Sequence, residues 1–302
     1  MESIDIFGRN SGSLAGGVRG PRGFRGATGA RGPPGVGSID SMARWFPKMT
    51  LTETRFNEFC CLKINDPKTD LEIDEETLNI KKWNSLLSKS NNFATVLENF
   101  YAKEYTLIRD NIYGLKFSGQ SLYRILNAGL FPFKANHWVW TCMTFRPLNI
   151  DVTEEQYLFS NANDTKLFRG VSITNKSIKI WGSDNAPNYF VDIVTNEPLV
   201  GKWITVFVFW TNIDARTGYY VVLLEKGVKL EGHFICQRST RFQQEFIDVG
   251  GIYNPVKSED VVFGFKGLLA CFELYVEHEA KESTYPDKFM NLVMENQQNV
   301  SM

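Results

Sequence analysis

The sequence predicts a mainly β protein, an antiparallel sandwich, carried behind a short rod of three intertwined extended chains. Glycine occupies every third residue from Gly17 to Gly35; from about Tyr105 short alternating apolar segments recur between turn residues; and one of these, Lys202–Trp210, is apolar on both phases. A chain of 302 residues has room for one domain of ordinary size with appendages. Its 43% hydrophobic and 14% aromatic content is enough to fill a sizeable core.

The rod comes first. Gly17, Gly20, Gly23, Gly26, Gly29, Gly32 and Gly35 fall in the run GVRGPRGFRGATGARGPPGVG. Only glycine fits at the crowded axis where three polyproline-II chains meet, so the period implies a collagen-like triple helix and with it a homotrimer. At the polyproline-II rise the segment 17–37 makes a rod of about 65 Å. Only Pro21, Pro33 and Pro34 pre-set its backbone, so a trimeric neck or head is expected to register it. Arg19, Arg22, Arg25 and Arg31 take the Y position, where side chains reach solvent. Residues 1–16 combine Ile4, Ile6 and Phe7 with Gly, Ser and Asn, and read as a frayed end or as an anchor that inserts into a larger assembly such as a capsid.

Residues 38–104 read as a neck or subdomain. They hold a strand-like segment around Cys60 and Cys61 and a mixed segment, Thr77 to Asn99, with some helical spacing. Residues 105–280 form the head. Its expected strands are Tyr113–Ser118, His137–Phe145, Gln156–Ser160, Gly170–Thr174, Ser177–Gly182, Tyr189–Val194, Lys202–Trp210, Gly218–Leu224, Gly232–Gln237, Phe246–Gly251 and Gly267–Val276. Lys202–Trp210 sends Trp203, Phe207 and Phe209 one way and Ile204, Val206, Val208 and Trp210 the other, so it should be central and covered on both sides. In residues 281–302, Asp287 is an expected N-cap, and Phe289, Leu292, Val293 and Asn296 share one face of a short helix that packs against the sandwich.

A Trp-led strand, Trp203–Trp210, a strand ending in Gly250-Gly251 and a terminal strand opening Phe265-Lys266-Gly267-Leu268-Leu269 resemble the laminin G, pentraxin-like and concanavalin A-like jelly rolls. The resemblance covers roughly residues 105–278 and rests on packing motifs, so it speaks to fold more than to function. It implies calcium held by loop oxygens. Asn161, Asn163 and Asp164 in one loop and Asp184 and Asn185 in another are the metal candidates, although ordinary turn chemistry uses the same residues. No other cofactor is expected. Trp138, Trp140, Trp181 and Tyr189 are the candidates for ligand contact, with core packing as their other reading.

The resemblance also brings an enzymatic rival, since some concanavalin A-like glycoside hydrolases carry a Glu-x-Asp-x-Glu strand. Glu72, Asp74 and Glu76 in the run EIDEE would share one face if they lay on a strand, as a paired-carboxylate mechanism needs. The run precedes the sandwich in a turn-like context, and no enzyme is expected. Nucleophilic catalysis has no credible base: there are three histidines and no Gly-x-Ser-x-Gly elbow. Five cysteines, Cys60, Cys61, Cys142, Cys236 and Cys271, show no paired metal-ligand spacing and are expected to be mostly reduced and buried.

Charge excludes bulk nucleic-acid binding. Residues 1–38 hold five arginines against Glu2 and Asp5, a net +3, which leaves −4 elsewhere in a chain whose total is −1. No stretch approaches the ~20 apolar residues of a membrane span, and the first residues carry no signal-peptide pattern. The expected molecule is therefore a stalked trimer that binds a glycan or protein on a surface. Its order of tail, rod and head fits a virion fibre, with an extracellular-matrix collagen-lectin as the second reading.

Overall fold

A computed structural model describes residues 56–86, 93–96, 100–126, 138–151, 154–160, 170–182, 190–211, 216–225, 228–236, 246–254, 260–277, 294 and 296–300. The seven stalk glycines and the expected tail lie outside these residues.

Nineteen strands are present among the described residues. In chain order they are β1 (Phe56–Lys63), β2 (Leu71–Ile73), β3 (Ile80–Asn84), β4 (Phe93–Val96), β5 (Glu104–Arg109), β6 (Ile112–Ser118), β7 (Tyr123–Leu126), β8 (Trp138–Pro147), β9 (Gln156–Ser160) and β10 (Gly170–Ile173). They continue as β11 (Ser177–Trp181), β12 (Phe190–Val194), β13 (Ile204–Thr211), β14 (Arg216–Leu223), β15 (Lys229–Cys236), β16 (Phe246–Val249), β17 (Ile252–Asn254), β18 (Asp260–Val262) and β19 (Lys266–Glu277). A single-turn helix, α1 (Pro67–Asp70), interrupts them; Asp66 caps it and Pro67 opens it, where a missing N–H costs nothing.

The strands make two antiparallel sheets. Sheet A runs β15-β14-β13-β8-β19-β6-β5, with β1 also paired to β19; sheet B runs β12-β11-β10-β9-β16-β7-β4-β3-β2; β17 and β18 form a separate hairpin. The fold is thus the antiparallel β-sandwich that the strand pattern predicts. Its core is filled from both sheets, by Phe117, Phe145, Val206, Trp210 and Phe272 from sheet A and by Trp83, Tyr123, Phe159, Ile180 and Ile247 from sheet B. Phe159 meets Trp210 and Phe272 edge-on, with ring centroids 5.7 and 5.6 Å apart.

Residues 56–96, read from sequence as part of a neck, supply strands to both sheets: β1 pairs with β19, and β2, β3 and β4 extend sheet B beyond β7. The helical spacing of this segment belongs to a strand. Ile80 and Trp83 are both buried three residues apart on β3, opposite a register shift between Glu72 and Ile73 of β2. An irregular ladder breaks the two-residue period and imitates a helix.

Strand β13 has both faces covered. Ile204, Val206, Val208 and Trp210 enter the core, while Trp203 just before it packs with Leu268, Ala270 and Val300 on the far side of sheet A. Residues 296–300 are helical and lie over that far face, where Asn296, Gln297 and Val300 are buried. Of the face expected for this helix, Asn296 is described; Asp287, Phe289, Leu292 and Val293 lie outside the described residues.

Cys60, Cys61, Cys142 and Cys271 are free and buried; the side chain of Cys236 lies outside the described set. Burial pushes the thiols of Cys60 and Cys271 up to about 12. In the unfolded chain these groups titrate near the ordinary thiol value of 9.0. Between the two values the folded chain keeps protons that the unfolded chain releases, so stability is intact below the lower one and falls as pH rises toward the upper. A Cys236→Ala variant should therefore leave all four thiols silent to a chromogenic disulfide reagent at mildly alkaline pH and expose four in denaturant; rapid labelling of the native form would contradict their burial.

Gly250 ends β16 with φ +99°, and a Cβ there would sit 2.3 Å from the Phe117 ring. Gly201 also has positive φ, +81°, but nothing within 4 Å. Gly250→Ala combines backbone strain with overpacking and should cost about 2–4 kcal/mol in urea unfolding, whereas Gly201→Ala should cost only about 1 kcal/mol.

Candidate functional site

The outer face of sheet B carries the chemistry. Its inner face is set by Ile125, Ile247, Val171, Ile173, Ile178, Ile180 and Ile193, all in the core. Alternation then turns Arg124, Asp248, Ser172, Lys179 and Trp181 outward. Tyr157, opposite Ser172, joins them, and so does Phe190, opposite Trp181.

These side chains form an aromatic row. Tyr157 and Trp181 stack with centroids 6.4 Å apart and planes 27° apart; Trp181 and Phe190 lie 4.9 Å apart; Tyr157 and Phe263 lie 5.8 Å apart. Ile252 of β17 packs against Tyr157. Tyr157 is buried, Trp181 and Phe190 are half-buried, and Phe263 is 55% exposed in a left-handed backbone conformation, φ +54°. An exposed phenylalanine with positive φ is uncommon in folded proteins.

A hydrogen-bonded chain fixes the row. Trp181 Nε1 donates to Ser172 Oγ at 3.0 Å, Ser172 Oγ donates to Glu155 Oε1 at 2.5 Å, and Lys179 Nζ donates to Glu155 Oε2 at 3.1 Å. The Trp181 carbonyl accepts from Trp210 Nε1 at 3.0 Å, which ties the platform to the core beneath it. Lys179 also stands 5.8 Å from the centre of the Phe190 ring. Burial, reinforced by the Glu155 carboxylate, pushes the Tyr157 hydroxyl above its ordinary value, so it stays a neutral hydrogen-bonding group.

A second polar group lies on β7 and β16 of the same sheet. Arg124 and Asp248 are register partners and pair through two bonds, Nε to Oδ1 at 2.6 Å and Nη2 to Oδ2 at 2.8 Å. The guanidinium stands 5.8 Å from the Tyr253 ring centre, and Tyr253 in turn meets Phe100 at 5.9 Å. Burial raises the Asp248 carboxyl above its usual range despite the opposing pull of Arg124.

Of the ligand-contact residues predicted from sequence, Trp181 is in the row. Trp138 and Trp140 lie on β8 of the other sheet, opposite Thr211 and Phe209 of β13, with side chains outside the described set. Tyr189 and the calcium candidates Asn161, Asn163, Asp164, Asp184 and Asn185 lie outside the described residues. No cluster of three or more metal-ligating side chains is found among the described residues.

The acidic run does not form a carboxylate pair on one strand. Glu72 lies on the edge strand β2, while Asp74 and Glu76 lie beyond its end. Asp74 Oδ1 accepts from the backbone N–H groups of Glu76 and Thr77, at 3.1 and 2.9 Å, and its carboxylate pairs with Lys81. It therefore shapes a hairpin turn.

Sequence reasoning missed Tyr157, Phe190, Ser172 and Lys179, although their place opposite the core phase of four expected strands was a usable signal. Glu155 and Phe263 lie outside strands, where no periodicity marks them.

No protein-family model and no curated protein matches the chain. Among solved structures, a protein of unknown function from Shewanella oneidensis is 11% identical, with a TM-score of 0.44 over 84% of this chain and 100% of that one. An arabinofuranosidase in complex with arabinofuranosyl-α-1,2-xylobiose is 12% identical, with a TM-score of 0.48 over 72% of this chain and 50% of the enzyme. Peanut lectin is 12% identical, with a TM-score of 0.41 over 74% of this chain and 100% of the lectin. At these identities and scores the matches carry no information on ligand or activity; the sandwich assignment rests on the strand pairing itself.

Removing the Ser172 hydroxyl should loosen the indole without unfolding the head. Ser172→Ala is expected to cost about 1–2 kcal/mol through the two bonds it breaks, and to shift Trp181 fluorescence; an unchanged emission spectrum would show that the chain does not hold the ring.

Proposed function

We propose that the chain is a non-enzymatic binding protein, a trimer on a collagen-like stalk, whose head recognises a glycan through the outer face of sheet B. The observation that carries the reading is the aromatic row Tyr157, Trp181, Phe190 and Phe263 beside the pinned polar chain of Ser172, Glu155 and Lys179. A sugar ring offers an apolar C–H face and a rim of hydroxyls. Aromatic faces take the first, and fixed charged or hydroxyl groups take the second.

Seven glycines at a three-residue period support the trimer, and trimerisation suits a weak site. Three heads on one stalk engage a surface together, and the effective concentration of the second and third raises avidity without any new contact. The engagement of Asp74 in its turn and with Lys81 speaks for a structural role of the acidic run. Tail, stalk and head then make an attachment fibre of a virion or of an extracellular surface.

A glycan array probed with the full chain tests the reading. Wild type should select a restricted set of glycans, and Phe263→Ala or Lys179→Ala should each weaken the selected interaction by roughly tenfold while leaving circular dichroism unchanged. Equal retention of both variants would move the site off this face. Light scattering of the full chain should give a trimer, and Gly26→Ala should abolish the collagen-type circular dichroism while the head stays folded; a monomeric wild type would overturn the stalk.

A further inference from the structure

The far face of sheet A holds a group of side chains that glycan binding does not use. Lys63 on β1, Glu273 on β19 and Asn296 in the C-terminal helix meet under the cover of that helix, each no more than 1% exposed. Lys63 Nζ donates to Asn296 Oδ1 at 3.2 Å, although the two residues are 233 positions apart. Lys63 Nζ is in direct contact with Glu273 Oε1, and the same Oε1 accepts from Asn296 Nδ2 at 3.2 Å.

The neighbours make the place dry and chemically quiet. Cys61 and Cys142 stand opposite Glu273 on either side in the sheet, Cys271 stands opposite Lys63, and Asn296 Nδ2 reaches Cys142 Sγ at 3.4 Å. Burial holds the thiols of Cys61 and Cys142 well above their ordinary value, so they stay protonated and do not compete as nucleophiles. A buried ion pair is costly to desolvate and contributes little net stability beside an apolar replacement. The arrangement is that of an amine, a carboxamide and a shared carboxylate already in reach of one another.

We propose that Lys63 and Asn296 are joined by an intramolecular isopeptide bond that the folded chain forms by itself, with Glu273 as its proton shuttle. Glu273 takes a proton from Lys63 Nζ; the freed amine attacks Asn296 Cγ and forms the Nζ–Cγ bond. Glu273 delivers that proton to Nδ2 and then relays to it the second proton that Nζ sheds after the attack; the Cγ–Nδ2 bond breaks and the nitrogen leaves as ammonium, so the new amide keeps one hydrogen and the charge is conserved. The carboxylate ends as it began, and no oxidant, metal or cofactor enters the balance. Each part has a geometric counterpart: the amine is in hydrogen-bonding range of the carboxamide to be attacked, and one carboxylate oxygen touches both the nitrogen that loses a proton and the nitrogen that gains it.

Burial by itself would strip Lys63 of its proton, but the Glu273 carboxylate more than offsets this and holds the amine above its ordinary value. The resting pair is therefore ionic, and transfer to Glu273 is the step that frees the nucleophile. Water exclusion also protects the carboxamide from hydrolysis while the amine attacks.

The test is the intact mass of the full chain after denaturation, followed by peptide mapping. The expected mass is lower than that of the sequence by one ammonia, with a branched peptide joining the Lys63 and Asn296 segments and no tryptic cleavage after Lys63. Lys63→Met, Asn296→Ala and Glu273→Gln should each restore the full mass. If Glu273→Gln fails to fold, as read by far-ultraviolet circular dichroism, the wild-type map stands as the test alone. A wild type of full mass overturns the proposal. So does an ammonia deficit with a linear Lys63 peptide, since Asn296 would then have cyclised on its own backbone.

Discussion

Strand β19 is the element on which the rest of the head depends. One of its edges is bonded to β8 along almost its whole length, and the other is shared end to end by β6 and β1. The register with β8 shifts between Leu269 and Cys271. This shifts the alternation, so that Leu269, Phe272 and Leu274 all reach the core while Cys271 and Glu273 turn to the far face. Segments from near the start, the middle and the end of the chain are thereby fixed in one ladder. Such pairing is non-local, and its loop-closure cost is recovered only when the whole sheet forms.

The two sheets treat their outer faces differently. Sheet A is covered by the helical residues 296–300, with Gln297 bonded to Thr205 Oγ1 at 2.7 Å and to the Trp203 carbonyl at 3.0 Å. Under that helix Lys63, Glu273, Asn296, Thr205 and Gln297 are all hydrogen-bonded or ion-paired, as burial demands. Sheet B presents half-buried aromatics with a polar chain beside them. The proposed recognition face and the proposed internal link thus lie on different sheets of the sandwich. A covalent link between β1 and the C-terminal helix would close the head around β19 without touching the outer face of sheet B.

Much of the architecture was legible in the sequence. Gln156–Ser160 matches β9 residue for residue, and the two-phase apolar strand was correctly read as covered on both sides. Hairpin chemistry is visible as well: Asp110 and Asn111 take positive φ, 39° and 66°, in the two-residue turn between β5 and β6, which these residues tolerate. What escaped is short or irregular. β7 has four residues and one of them is Arg124, whose charge pairs with Asp248, 124 positions away. β3 hides its period behind a register shift in its partner.

The sequence by itself determined the strand pattern, the phase that faces the core and the glycine period, because each is a local repeat that steric and solvation rules read directly. Only the tertiary structure decided that residues 56–96 belong to both sheets, that Tyr157, Trp181, Phe190 and Phe263 make one row, and that Lys63 meets Asn296 through Glu273. Those associations join residues far apart in the chain, and which strands lie side by side is set by the closing of the sheets rather than by any local preference.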